Sequence, residues 1–166
     1  MFQDLIEKRR SIRKYTDRPV SRELVEDICQ AVFYAPTGRN EDDIRLIAVE
    51  DPEMIRELSA FKPTGAAPLK EAKVALCVLS DRELAPKTHR QDACIATTYA
   101  LLKVTDLGLG ACWINVNSAE GGQERVHEIL GLDDRWNVES VIAIGHPGED
   151  KGSKEPRDYQ GRTRWI

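Results

Sequence analysis

The order of apolar and polar positions lays out helices and strands along nearly the whole chain. Phe2, Leu5 and Ile6 recur at helical spacing and predict a short amphipathic helix ahead of a basic run. Ser21 is a good N-cap, Glu23 and Glu26 favour a helix start, and Leu24, Val25, Ile28 and Val32 form one apolar face. Pro36 ends that helix. Residues 45–50 predict a strand, 52–60 a short helix, and 73–80, rich in Val, Leu and Cys, a buried strand.

A long helix is predicted from Asp92 to Leu107, apolar on more than one face through Ala93, Ile95, Ala96, Tyr99, Ala100, Leu101, Leu102 and Val104. Such a helix is buried on several sides, which suits the centre of a core, a subunit interface, or both. Gly108 and Gly110 end it, 111–116 reads as a strand, Gly121-Gly122 opens a helix to Leu130, and 140–144 gives a last strand. Residues 148–164 are polar and without clear periodicity, and the tail 148–166 is expected to wrap a surface or a partner subunit.

A length of 166 residues sets the expectation of one domain, 1–166, able to bury about two thirds of its unfolded surface. Cys29, Cys77, Cys94 and Cys112 lie far apart in apolar stretches and read as buried thiols in a reducing compartment. The N-terminus has no apolar signal region and no stretch approaches membrane-spanning length, so a cytoplasmic protein with no membrane partner is expected.

Charge changes the picture at one place. The formal net charge is -4, yet Lys8, Arg9, Arg10, Arg13 and Lys14 crowd into seven residues around the Ser11 hydroxyl. Guanidinium forks and a hydroxyl can donate together to phosphate oxygens, in charge-assisted bonds about twice as strong as neutral ones. A nucleic-acid binder carries a broad positive face, so one short cluster points instead to a small phosphorylated ligand; solvated surface charge is the plainer alternative. Gly108-x-Gly110 lacks the third glycine of a dinucleotide fingerprint, His89, His127 and His146 show no metal spacing, and no metal site is expected.

The run from Lys8 to Tyr15, KRRSIRKY, closely resembles the opening signature of the nitroreductase-like flavoproteins. Ala35-Pro36-Thr37-Gly38-Arg39-Asn40 is similar to the family's APS-x-x-N loop, and Leu107 to Ile114 to its LGLG-x-CWI segment. Asp92 to Ala96, Glu128 to Leu132 and Ile144 to Pro147 follow in the family's order. The resemblance implies an α+β nitroreductase-like fold, with a central mostly antiparallel sheet flanked by helices, in an intertwined homodimer. It also implies FMN at the subunit interface, NADH or NADPH as reductant, and a nitroaromatic, quinone-like or other electrophilic small molecule as acceptor. The alternative is a flavin-binding or flavin-sequestering protein with little turnover.

By position in the family motifs, Arg9, Arg10 and Ser11 would hold the phosphate and ribityl end, and Arg13 the pyrimidine edge, where it would stabilise the reduced anion. Asn40 matches the loop asparagine at the ring edge, and Asn115 and Val116 the segment beside the isoalloxazine; Trp113 suits core packing equally well. Lys154 matches the late basic residue that closes on the phosphate, with Arg157 as the fallback. No protein acid, base or nucleophile is expected, because the cofactor carries the chemistry.

Two departures stand out. Where the family usually has Gln-Pro-Trp after the loop asparagine, this chain has Glu41-Asp42-Asp43. Those carboxylates either face solvent or point inward and lower the flavin's reduction potential. The segment between the second and third strands is short, leaving few residues to build a lid.

Overall fold

The computed structural model describes residues 1–166. Helix α1 spans Phe2–Lys8 and α2 Arg22–Val32, followed by strand β1 (Ile44–Val49), α3 (Pro52–Leu58), β2 (Val74–Asp81), α4 (His89–Asp106), β3 (Gly110–Asn115), α5 (Gly122–Leu130) and β4 (Trp136–Gly145). The strands form one sheet in the order β1-β2-β4-β3, antiparallel at every pairing. The fold is α+β, as the family resemblance implied.

Each element has a local cause. Asp51 caps α3 by accepting from the Glu53 N–H at 2.8 Å, with Pro52 preset for the first turn. Gly121 and Gly131 bracket α5 at φ +64° and +66°, a region other residues enter at a steric cost. Ser21 occupies the N-cap of α2, although its hydroxyl makes no capping bond.

Both sheet faces are covered, so β2 is buried along its whole length and reads as an unbroken apolar run rather than an alternation. One core holds Ile12, Tyr15, Leu58, Phe61, Leu69, Cys112, Ile114 and Val126. The other packs Val25, Ile28 and Val32 of α2 and Ala93, Ala96, Ala100 and Val104 of α4 onto the opposite face. Trp113 packs against this second core, on the face that α2 and α4 cover.

Three details differ from the sequence expectation. β4 begins at Trp136 rather than Ser140, because Asn137 and Glu139 interrupt the apolar pattern yet lie buried in the strand. Of the four cysteines only Cys77 and Cys112 are buried, whereas Cys29 and Cys94 are half-exposed on α2 and α4. In α4 only one face is fully covered, and Ile95 and Tyr99 on the other are each 37 % exposed. No helix is long and apolar enough to cross a membrane.

Candidate functional site

The basic run leaves α1 as an extended segment and docks beside edge strand β3. Ser11 pairs with Ala111 in a parallel bridge, and the Ile12 N–H donates to the Ala111 carbonyl at 2.9 Å. Ile12 and Tyr15 anchor it in the first core, the Tyr15 hydroxyl lying 2.7 Å from the Ile12 carbonyl and 3.0 Å from that of Ala143. Burial drives the Tyr15 hydroxyl's pKa far up, so it stays a neutral donor. Arg13 and Lys14, between these two anchors, are both exposed.

The chain's late loop closes over this segment. The Gly148 N–H donates to the Lys14 carbonyl at 2.8 Å, and the Arg13 N–H to Glu149 Oε1 at 2.6 Å. That bond, foremost, holds the Glu149 carboxyl below its usual range. Arg10 Nη1 donates to the carbonyls of Lys151, Gly152 and Ser153, so this arginine fastens the loop. Lys151 Nζ reaches back to the Ser11 carbonyl at 2.7 Å and to Glu149 Oε1 at 3.2 Å.

A third cation arrives from elsewhere in the chain. Phe61 is buried, which draws the adjacent Lys62 to the far end of β3, where its Nζ donates to the Asn115 carbonyl at 3.0 Å. Arg13, Lys151 and Lys62 all act on the Cys112 thiol between them; burial nonetheless dominates and raises that thiol's pKa. Arg9 and Arg13 carry no carboxylate partner among the ion pairs of the structure. Unpaired guanidiniums, a hydroxyl and two lysines along one strand edge form a donor set that fits a ligand with a phosphate and a second electron-rich end.

The structure thus docks Ser11 beside β3 with Arg13 exposed next to it, turns Arg10 onto the closing loop, leaves Arg9 at the end of α1, and adds Lys151 at Ser11 and Lys62 at Asn115, the far end of the strand. Nothing in the sequence marked Lys62, a lone lysine before a proline. Lys151 was hidden among five tail cations, and only the flanking Gly148 and Gly152 signal the turn that aims it. Lys154 touches this region through its backbone alone, donating its N–H to the Glu7 carbonyl at 2.9 Å, and Arg157 is exposed. Val116 is fully buried, and its N–H already donates to the Glu139 carbonyl at 3.3 Å.

Asn40 lies elsewhere. It is exposed just before β1, the opposite edge strand, and near the other end of the sheet from Ser11. Three strand spacings alone separate the two edges by roughly 14 Å. Arg39 and Asn40 both adopt left-handed backbone, φ 59° and 58°, a conformation uncommon outside glycine that often marks functional loops.

Beneath this loop sits a buried acidic pair. Asp42 is exposed and pairs with Arg45, but Asp43 is 0 % exposed with both carboxylate oxygens unbonded, so one of the three loop acids faces neither solvent nor the β3 edge. Asp92 is also buried; one of its oxygens accepts from the Gly38 N–H at 2.9 Å and the other is unbonded. Burial first, then the negative charges of Asp92, Asp81 and Asp42, push the Asp43 carboxyl from its ordinary 3.8 up to about 6. Between those values the folded state binds more protons than the unfolded one, so stability falls as pH rises through that window. Wild type is expected to lose about 3 kcal/mol relative to Asp43→Asn between about pH 4 and pH 7, read from urea unfolding at each pH. Parallel pH profiles for the two proteins would refute the burial account.

A second polar network underlies β4. Glu139, 1 % exposed, accepts through Oε2 from Arg90 Nε at 3.1 Å, Asn117 Nδ2 at 2.9 Å and Asn137 Nδ2 at 3.3 Å. Asn137 also donates to Ser80, whose hydroxyl meets His89 Nδ1 at 3.1 Å. Gln123 ties the network to α5 by donating to Asn117 Oδ1 and the Val138 carbonyl.

Comparison with known proteins decides the family. The nitroreductase family model matches residues 6–63 and 58–146. The chain belongs to the nitroreductase family. A protein of Archaeoglobus fulgidus whose name pairs NADH dehydrogenase with NAD(P)H nitroreductase is 35% identical over 157 residues, covering 93% of this chain and 90% of its own length. Among solved structures, an FMN-dependent nitroreductase from Clostridium difficile superposes with a TM-score of 0.92 at 31% identity, covering 97% of this chain and 96% of that one. A protein described as a nitroreductase, from Desulfovibrio desulfuricans, solved in complex with FMN, gives 0.83 at 31% identity over 99% and 95% of the two chains.

Proposed function

We propose that this nitroreductase-family chain is an FMN-dependent oxidoreductase that takes hydride from NADH or NADPH and delivers electrons to a small electrophilic acceptor. The observation that carries this reading is the docking of the Ser11–Arg13 segment against edge strand β3, with Lys151 bonded to the Ser11 carbonyl. When bound, FMN supplies reversible hydride acceptance. Arg9 and Ser11 hold its phosphate, with Lys151 adding charge behind Ser11. Arg13, beside Cys112, favours negative charge on the pyrimidine edge. Arg10 acts on the loop, keeping Lys151 in place through three carbonyls.

Asn40 belongs to the site of a second copy in this reading, since one chain does not carry it to its own β3 edge. A homodimer would also cover the half-exposed Ile95 and Tyr99 of α4 and the tail aromatics Tyr159 and Trp165, of which Trp165 is 84 % exposed. One domain serves throughout, its tail lying against the partner.

The experiment is an absorption spectrum of the purified protein before and after each nicotinamide. Bound flavin that bleaches with NADH or NADPH and recovers on adding a quinone or nitroaromatic is expected. Tight flavin that neither nicotinamide bleaches would favour the storage reading, and failure to take up FMN would refute both.

A further inference from the structure

Beyond Asn115, at the opposite end of β3 from Ser11, lies a cleft of about 710 Å³ lined by Lys62, Pro63, Thr64, Ser118, Ala119, Glu120, Gly121 and Arg125. Two cations face it, and each is aimed by protein carbonyls rather than neutralised by a carboxylate. Lys62 Nζ donates to the Asn115 carbonyl at 3.0 Å and lies 3.5 Å from Ser118 Oγ. The Arg125 guanidinium donates through Nε to the Phe61 carbonyl and through Nη2 to the Glu120 carbonyl. Glu120 is the one acid in the lining, and its side chain forms no ion pair with either cation.

A cation held by carbonyls keeps its full charge and has lost the freedom to swing toward a distant acid. Partial burial lowers the Lys62 pKa, so the ammonium is under-solvated where it stands. An oxyanion bridging the two side chains would restore what water no longer supplies. The lining contains one hydrophobic residue, which excludes an apolar guest as the natural occupant. The phosphate end of FMN, assigned to Arg9 and Ser11 beside Ala111, lies four strand residues away, roughly 13 Å. The cleft is therefore too distant to serve that phosphate, yet Lys62 bonds directly to the strand end on which the reacting ring is proposed to lie.

Resting on the flavoenzyme reading above, we infer that Lys62 and Arg125 form an oxyanion subsite for the molecule that visits the flavin, either the phosphate of the nicotinamide nucleotide or a carboxylate on the acceptor. The subsite makes the enzyme selective for anionic reaction partners.

The test uses the FMN-loaded protein and two pairs of unreactive probes whose binding perturbs the flavin spectrum. Oxidised nicotinamide mononucleotide is compared with nicotinamide riboside, and 4-nitrobenzoate with 4-nitrobenzamide, each pair differing in the anion. Arg125→Gln is expected to raise the Kd of one anion-bearing probe about tenfold, as loss of one charge-assisted bond implies, while neither probe lacking the anion weakens by more than about twofold. Whichever anion responds identifies the source. If Arg125→Gln unfolds, Arg125→Lys, which keeps the alkyl packing and the charge but not the forked donor, carries the same test with a smaller expected shift. Equal weakening of the probes with and without the anion, or no weakening of either anion, overturns the subsite, as does a variant that binds FMN no longer, which would place Arg125 in the flavin site instead. Wild-type protein that takes up no FMN overturns both this inference and the function beneath it, so the two failures are distinguishable.

Discussion

Replacing Arg9 and Arg13 together by alanine is expected to raise the Kd for FMN by a hundredfold or more, leaving the purified protein colourless while folded. Neither guanidinium has an acidic partner, so no internal ion pair competes with the ligand and none is broken by the substitution. Two charge-assisted contacts contribute roughly 3–5 kcal/mol together in a partly desolvated site. The fold is held independently, through Ile12 and Tyr15 in the core and through backbone bonds to Ala111 and His146. Flavin content by absorbance and FMN affinity by fluorescence quenching give the two readouts. Unchanged flavin content in the double variant would contradict the assignment. Arg10→Ala provides the contrast, because it should act indirectly, by releasing the 151–153 carbonyls and Lys151.

The second large effect concerns stability rather than binding. Glu139→Ala should destabilise the protein by about 2–3 kcal/mol, because buried Asn137 and half-buried Asn117 lose their shared acceptor, whereas Arg90, 55% exposed, can turn to water. Glu139→Gln keeps one acceptor oxygen and is expected to cost about half as much. Chemical denaturation of both variants measures the difference. A Glu139→Ala protein as stable as wild type would show that the donors find other partners, and the network would then carry little of the fold. Since Asn117 lies two residues past Asn115, the same variant should also loosen the strand end that Lys62 holds.

Much of the architecture was legible because burial periodicity leaves a trace that neighbouring residues share. α2 shows its apolar face as Leu24, Val25, Ile28 and Val32, and β2 shows two-sided burial as a solid apolar run. The first half of β4 was illegible for the converse reason. Asn137 and Glu139 look like loop residues until their partners on α4, β2 and the segment after β3 are in place, and those partners are distant in sequence. The expectation for the Glu41-Asp42-Asp43 run failed at one residue for a similar reason. Composition cannot distinguish Asp42, paired with Arg45 in solvent, from Asp43, sealed under the loop beside Asp92.

The candidate site divides along the same line. Arg9, Arg10, Ser11 and Arg13 were readable because the charges are contiguous, and a contiguous cluster needs no fold to bring it together. Sequence by itself determined the element order, the basic segment and, through ordered motifs, the family. Tertiary structure alone decided that Lys62 and Lys151 join that segment, that Arg10 is spent on the closing loop, and that Asn40 stands at the opposite edge of the sheet. The physical reason is that charge and hydropathy are properties of residues, whereas which cations converge on one strand edge is set by chain crossings that bury Phe61, Ile12 and Tyr15.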